Sequence, residues 1–180
     1  IGLALLDRRM RTSTDVADAT GLMPLEEIPP VPGLTRSLNP FGQRRRNAAF
    51  AEAITRLRGT LVLSQQRGGP AMVAITGVDD DSGAAPVATA LAQAGAVAGD
   101  AVVLVDLTFA ENDVARLLGA RNEFGVADLI SSGGDVEAAL RDDTPTGLQF
   151  LTAGKGGEPA YYRAPAMDDI LDALYVRFDV

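Results

Sequence analysis

The segment AMVAITGVDDDSGAAPVATALAQAGAVAGDAVVLVDL, residues 71–107, constrains this chain more than any other stretch. A β-branched apolar run from Ala71 to Thr76 meets Gly77, an Ala-rich stretch follows Gly83, and a second apolar run ends at Asp106 and Leu107. Strand, glycine-bearing turn, helix, strand is the order of a nucleotide-binding βαβ unit, whose turn offers backbone amides to phosphate at a helix N-terminus. Gly68-Gly69-Pro70 on one side and Gly77 on the other mark the first run as a short, buried parallel strand. Ser82 reads as the N-cap of the helix, and Pro86 is tolerable because it falls in the first turn.

The turn has this outline without its chemistry. A working phosphate loop ends in Gly-Lys-Ser/Thr, where Lys reaches the β- and γ-phosphates and the hydroxyl holds Mg²⁺. Here Gly83 is followed by Ala84 and Ala85, and Asp79, Asp80 and Asp81 stand where a triphosphate needs cations or bare amides. The chain has a single lysine, Lys155, so only a distant loop offers a substitute. The loop is built to repel ATP, and neither ATP nor Mg²⁺ is expected as a cofactor unless the loop functions in an atypical way.

With 180 residues the chain is long enough for one well-packed core and an appendage. It has no Cys, which excludes disulfides and thiolate chemistry, and no His, which removes the commonest metal ligand and general base. No resident metal is expected. Net charge is −8, against nucleic acid as a partner, but it divides unevenly: residues 1–70 carry +4 and residues 71–180 carry −12. The basic part opens with Ile1-Gly2-Leu3-Ala4-Leu5-Leu6 and then Asp7-Arg8-Arg9-Met10-Arg11. Six apolar residues fall short of the roughly 20 that a spanning helix needs. They read either as the last turns of a longer span with cytoplasmic arginines behind it, or as the start of an ordinary amphipathic helix.

Residues 12–23 suggest a short helix closed by Gly21, and the prolines between Pro24 and Gly42 an extended linker. Phe50, Ile54, Leu57 and Leu61 recur at helical spacing and predict an amphipathic helix over 47–64. Further on, 101–107 and 148–152 read as strands, and 113–118, 126–130, 135–141 and 167–175 as helices. Strands alternating with helices imply an α/β fold with a parallel sheet flanked by helices in three layers. Phe178-Asp179-Val180 is read as the opening of a fourth strand, so the sequence is expected to be a fragment of a longer chain. The domain reading is a juxtamembrane leader and linker over 1–46 and the α/β domain over 47–180.

The order of these pieces resembles the cytoplasmic domain of bacterial exopolysaccharide co-polymerases, whose active members are P-loop tyrosine kinases. Gly21-Leu22-Met23-Pro24-Leu25 and Glu27-Ile28-Pro29 look like the family's leader behind its second transmembrane helix. Residues 49–61 look like the helix with the Glu-x-x-Arg-x-x-Arg oligomerisation motif, where Glu52 and Arg58 match the ends and Thr55 replaces the middle Arg. The loop from Thr76 to Pro86 keeps the family's length and position without its Lys and hydroxyls. Leu104-Val105-Asp106-Leu107-Thr108 resembles a strand end normally reading Asp-x-Asp, with Asp106 kept and Thr108 in place of the second Asp.

The resemblance implies homo-oligomers, polysaccharide export or polymerisation proteins as partners, a membrane anchor outside this chain, and a place on the cytoplasmic face of the inner membrane. Gly77, Gly83 and Asp106 are then a vestigial nucleotide site, with no catalytic residue, in a non-catalytic domain acting by self-assembly and partner binding. Two alternatives stay open: an active tyrosine autokinase or partitioning-type ATPase with an atypical loop, and a domain receiving a separate partner on the Glu52–Arg58 helix. Individual residues have plainer readings beside these. Asp106 is an idle cap, Asp79 to Asp81 a solvated turn, Lys155 a surface loop, Tyr161 and Tyr162 packing residues or phosphorylation targets, and Arg44 to Arg46 a solvated or lipid-facing run.

Overall fold

A computed structural model of the chain describes residues 12–31, 47–64, 71–79, 82–109 and 112–178. Helix α1 (Ser13–Thr20) is short, and both of its ends are determined locally. Thr12 Oγ1 accepts from the Asp15 amide while Asp15 Oδ2 accepts from the Thr12 amide, and Gly21, at φ 71°, closes the helix in the left-handed conformation. Helix α2 (Ala48–Ser64) buries Phe50, Ala53 and Ile54 against α3 (Ala84–Ala98). Ile28 and Val31 of the leader pack into the same cluster, and Glu26 clasps Arg56 of α2 through two hydrogen bonds of 3.0 Å.

The remaining elements are β1 (Val103–Val105), α4 (Asp113–Leu117), α5 (Val126–Ser132), α6 (Val136–Ala139), β2 (Arg141–Asp143) and β3 (Leu148–Leu151), then a 3₁₀ turn (Pro159–Arg163) and α7 (Pro165–Tyr175). The strands stand in the order β1-β3-β2. β1 and β3 are parallel, with Leu104 opposite Phe150, whereas β2 runs antiparallel to β3. Because successive strand residues point to opposite faces, both faces need cover. Val103, Val105 and Leu151 pack with Val126, Leu129, Ile170 and Leu174 of α5 and α7. Val102, Leu104 and Leu148 meet Ala92 and Ala96 of α3. Helices therefore lie on both faces of a mixed sheet, the three-layer α/β arrangement expected from the sequence.

Two sequence expectations are corrected. The run Ala71–Thr76 belongs to no ladder, and Met72, Val73 and Ile75 are exposed. An apolar β-branched run specifies an extended backbone, but a buried strand also needs a neighbour to satisfy its amides, and no described strand lies against it. The helix after the loop is capped by Gly83, not Ser82, whose hydroxyl donates instead to the Asp79 carbonyl at 2.7 Å. Phe178 follows α7, its amide donating to the Leu174 carbonyl at 3.1 Å and its ring buried in the core beside α7, while the rest of the expected fourth strand falls outside the described residues. Asp179 and Val180 lie outside the described residues, as do Asp80, Asp81 and Arg44 to Arg46. Strand β2 was not legible in advance. Its residues, Arg-Asp-Asp, carry no strand signal and are held by the hairpin with β3.

Candidate functional site

Gly77 and Gly83 bracket a tight turn before α3. A Cβ on Gly77 would fall 1.8 Å from Ser82 Oγ and 2.9 Å from the Asp79 carbonyl, so only glycine lets the turn fold back on itself. Gly83 is at φ 78°, a conformation that favours glycine, and opens α3 with no side-chain cap and no acidic residue in the first turn. The backbone thus resembles an anion-receiving helix start. What stands around it does not: Ala84 and Ala85 supply no donor beyond their amides, and Val78 is fully exposed.

Asp106 sits just past the carboxyl end of β1, where α/β sheets collect ligands. Its amide prolongs the pairing with β3 by donating to the Leu151 carbonyl at 2.9 Å. The side chain is only 3% exposed and turned toward its own loop: Oδ1 accepts from the Thr108 amide at 2.9 Å and from the Thr108 hydroxyl at 2.5 Å. Oδ2 is buried, with the Val114 amide near the carboxylate but no hydrogen bond to Oδ2 itself among the described residues. Burial pushes the carboxyl above the usual aspartate range and the charge of Asp113 adds to this, against the opposing pull of the Thr108 donors and the Val114 amide at the start of α4. The residue that replaces the second Asp of the motif is therefore the one that holds the first. Asp106 meets Thr108, Asp113 and Val114; none of these comes from the Gly77–Gly83 turn.

Two features hold this edge of the sheet: the packing of Tyr161 and Tyr162, a role the sequence suggested for them, and an Asn122 bridge that it did not. Phe109 stacks edge-on against Tyr161 at 5.9 Å and lies 5.1 Å from Tyr162, while the Tyr162 hydroxyl donates to the Leu107 carbonyl at 2.7 Å. The 3₁₀ turn thereby pins the loop that follows Asp106. At the end of β3, Asn122 bridges to Gly154 in both directions, donating to its carbonyl at 2.7 Å and accepting from its amide at 2.8 Å. Gly125 lies so close that a Cβ there would fall 2.0 Å from the Thr152 carbonyl. Lys155 lies in the exposed turn just beyond, its amide 3.4 Å from Asp128 Oδ2.

The two residues matched to the oligomerisation motif have different surroundings. Glu52 is exposed on α2. Arg58 is half-buried and engaged within the chain: Nε and Nη2 both donate to Asp100 Oδ2, at 3.1 and 2.5 Å, across the C-terminal end of α3. Among the described residues there is no group of three or more acidic side chains able to hold a metal, and no helix long and apolar enough to cross a membrane.

No protein-family model and no curated protein sequence matches the chain. Solved structures do. The kinase domain of the Escherichia coli tyrosine kinase ETK superposes with a TM-score of 0.80 at 20% identity, over 94% of this chain and 70% of that one. The chimerical protein CapA2B2 gives 0.77 at 20% identity over 93% and 72%, and the BceF tyrosine kinase domain 0.75 at 19% over 94% and 73%. The fold is that of bacterial tyrosine kinase domains.

Proposed function

We propose that this chain is a non-catalytic cytoplasmic domain of an inner-membrane exopolysaccharide chain-length or export co-polymerase, a tyrosine-kinase fold working by self-assembly and partner binding. The observation that carries the reading is the state of the nucleotide edge. The loop keeps the two glycines that shape it but has alanines where Lys and the Mg²⁺-binding hydroxyl belong, and Asp106 is turned into a buried contact with Thr108. Losing one positioned electrostatic group commonly costs on the order of 10² to 10³ in rate, and three such groups are replaced here.

Calorimetric titration with ATP and Mg²⁺ tests the proposal. Absence of heat at millimolar nucleotide supports it, whereas micromolar binding followed by tyrosine phosphorylation refutes it. For assembly, Glu52 is the exposed residue of the motif, one turn from Arg56 on α2, whereas Arg58 already serves Asp100. Substituting Glu52→Gln, which avoids a like-charge pair with Arg56 one turn on, is expected to reduce self-association in sedimentation velocity with little change in melting temperature. Self-association unchanged by that substitution would remove α2 from the interface.

A further inference from the structure

Residues 26–31 of the leader form a strap along α2. Glu26, Ile28, Pro29 and Val31 are half-buried while Leu25, Glu27 and Pro30 are exposed, so the strap has an inner and an outer side. On the inner side Glu26 meets Arg56, and Ile28 and Val31 pack with Phe50 and Ile54, so the strap runs antiparallel to α2.

Two carboxylates are within reach of Arg56. Glu52 lies one turn before it on α2, and Glu followed four residues later by a basic residue is the favourable order for a pair within a helix. The folded chain does not form that pair. Arg56 Nε donates to Glu26 Oε2 and Nη2 to Glu26 Oε1, both at 3.0 Å, and this two-pronged contact occupies the guanidinium. Glu52 acts on Arg56 only through space. Arg56 is itself exposed, so its head can turn to Glu52 without repacking the core. We propose that Glu26 and Glu52 compete for Arg56, which makes the strap a switch. Docked, the strap draws Arg56 to Glu26 and leaves the Glu52 carboxylate presented to solvent. Lifted, it lets Arg56 fold onto Glu52 and mask that carboxylate. A segment held by one exposed ion pair and two half-buried side chains belongs to the part of a fold that opens most easily. The consequence for assembly rests on the role proposed for Glu52; the competition itself does not.

The chain contains no cysteine, so Val31→Cys places a single thiol on the inner side of the strap. Its rate of labelling by an aromatic disulfide reagent measures how often the strap lifts. In that background Glu26→Gln is expected to speed labelling roughly two- to five-fold. Glu52→Gln is expected to slow it by about 1.5- to 2-fold, because the lifted state then loses its pair. With Arg56→Gln also present, neither substitution is expected to change the rate. Labelling that Glu52→Gln leaves unchanged or quickens overturns the competition, as does a Glu26→Gln effect that survives the loss of Arg56. A thiol that reacts as fast as free cysteine in the parent overturns the docked strap altogether. Sedimentation velocity separates the switch from the assembly role: Glu26→Gln is expected to lower self-association and added Arg56→Gln to restore it. Self-association indifferent to Glu52→Gln removes the assembly role, and the labelling rates still decide the switch.

Discussion

Replacing Asp106 by Asn tests whether its charge is something the fold must tolerate. In the folded chain Oδ1 has two donors from Thr108, but Oδ2 is buried without a hydrogen-bond partner among the described residues. A buried polar atom left unsatisfied costs about 1–3 kcal/mol. Asparagine keeps Oδ1 for the Thr108 donors, and although its amide is no better paired than the oxygen it replaces, it removes the buried charge, so the variant is expected to be more stable at pH 7 by about 1–2 kcal/mol. In a protein of this size that is a rise of roughly 2–8 °C in melting temperature. The sign follows from the raised pKa. The contribution of Asp106 to wild-type stability is fully present below the ordinary value of 3.8 and is lost as pH rises through the higher folded value. The difference between Asp106→Asn and wild type is therefore expected to be small near pH 4 and to open toward neutrality. Urea denaturation of both proteins across that range measures it. A variant less stable than wild type at pH 7, or a difference that does not change with pH, would refute the reasoning.

Three further substitutions probe the surroundings. Gly125→Ala drives a Cβ into the backbone of Thr152 and Gly154, which cannot yield as a side chain can, and is expected to destabilise by about 3 kcal/mol or more, read as a melting temperature lower by roughly 6–12 °C. Tyr162→Phe removes only the hydroxyl that holds the Leu107 carbonyl and is expected to cost about 0.5–1.5 kcal/mol in chemical denaturation; no change would mean that ring packing alone holds the loop. A double-mutant cycle of Arg58→Ala and Asp100→Ala is expected to show a coupling of roughly 0.5–1.5 kcal/mol, discounted for partial exposure of both groups, and no coupling would return Arg58 to the list of residues free for assembly.

The order of elements and the emptied loop could be read from residue types alone, because both rest on local chemistry. Helical spacing of Phe50 and Ile54 marks α2, and Gly21 marks the end of α1. The absence of Lys and hydroxyl after Gly83 needs no coordinates to be seen. Tertiary structure decided what depends on a neighbour supplied from elsewhere in the chain. The run Ala71–Thr76 has the composition of a buried strand, yet it stays exposed because pairing is a property of two segments. Arg141-Asp142-Asp143 has the composition of a loop and is a strand because β3 lies beside it. Arg58 matches an intermolecular motif in sequence, and the C-terminal end of α3 brings Asp100 to it across 42 positions. Asp106 is the plainest instance. Its identity and its place at a strand end are local facts, but burial and the Thr108 donors, which set its charge and leave one oxygen unsatisfied, exist only once the chain has folded around it.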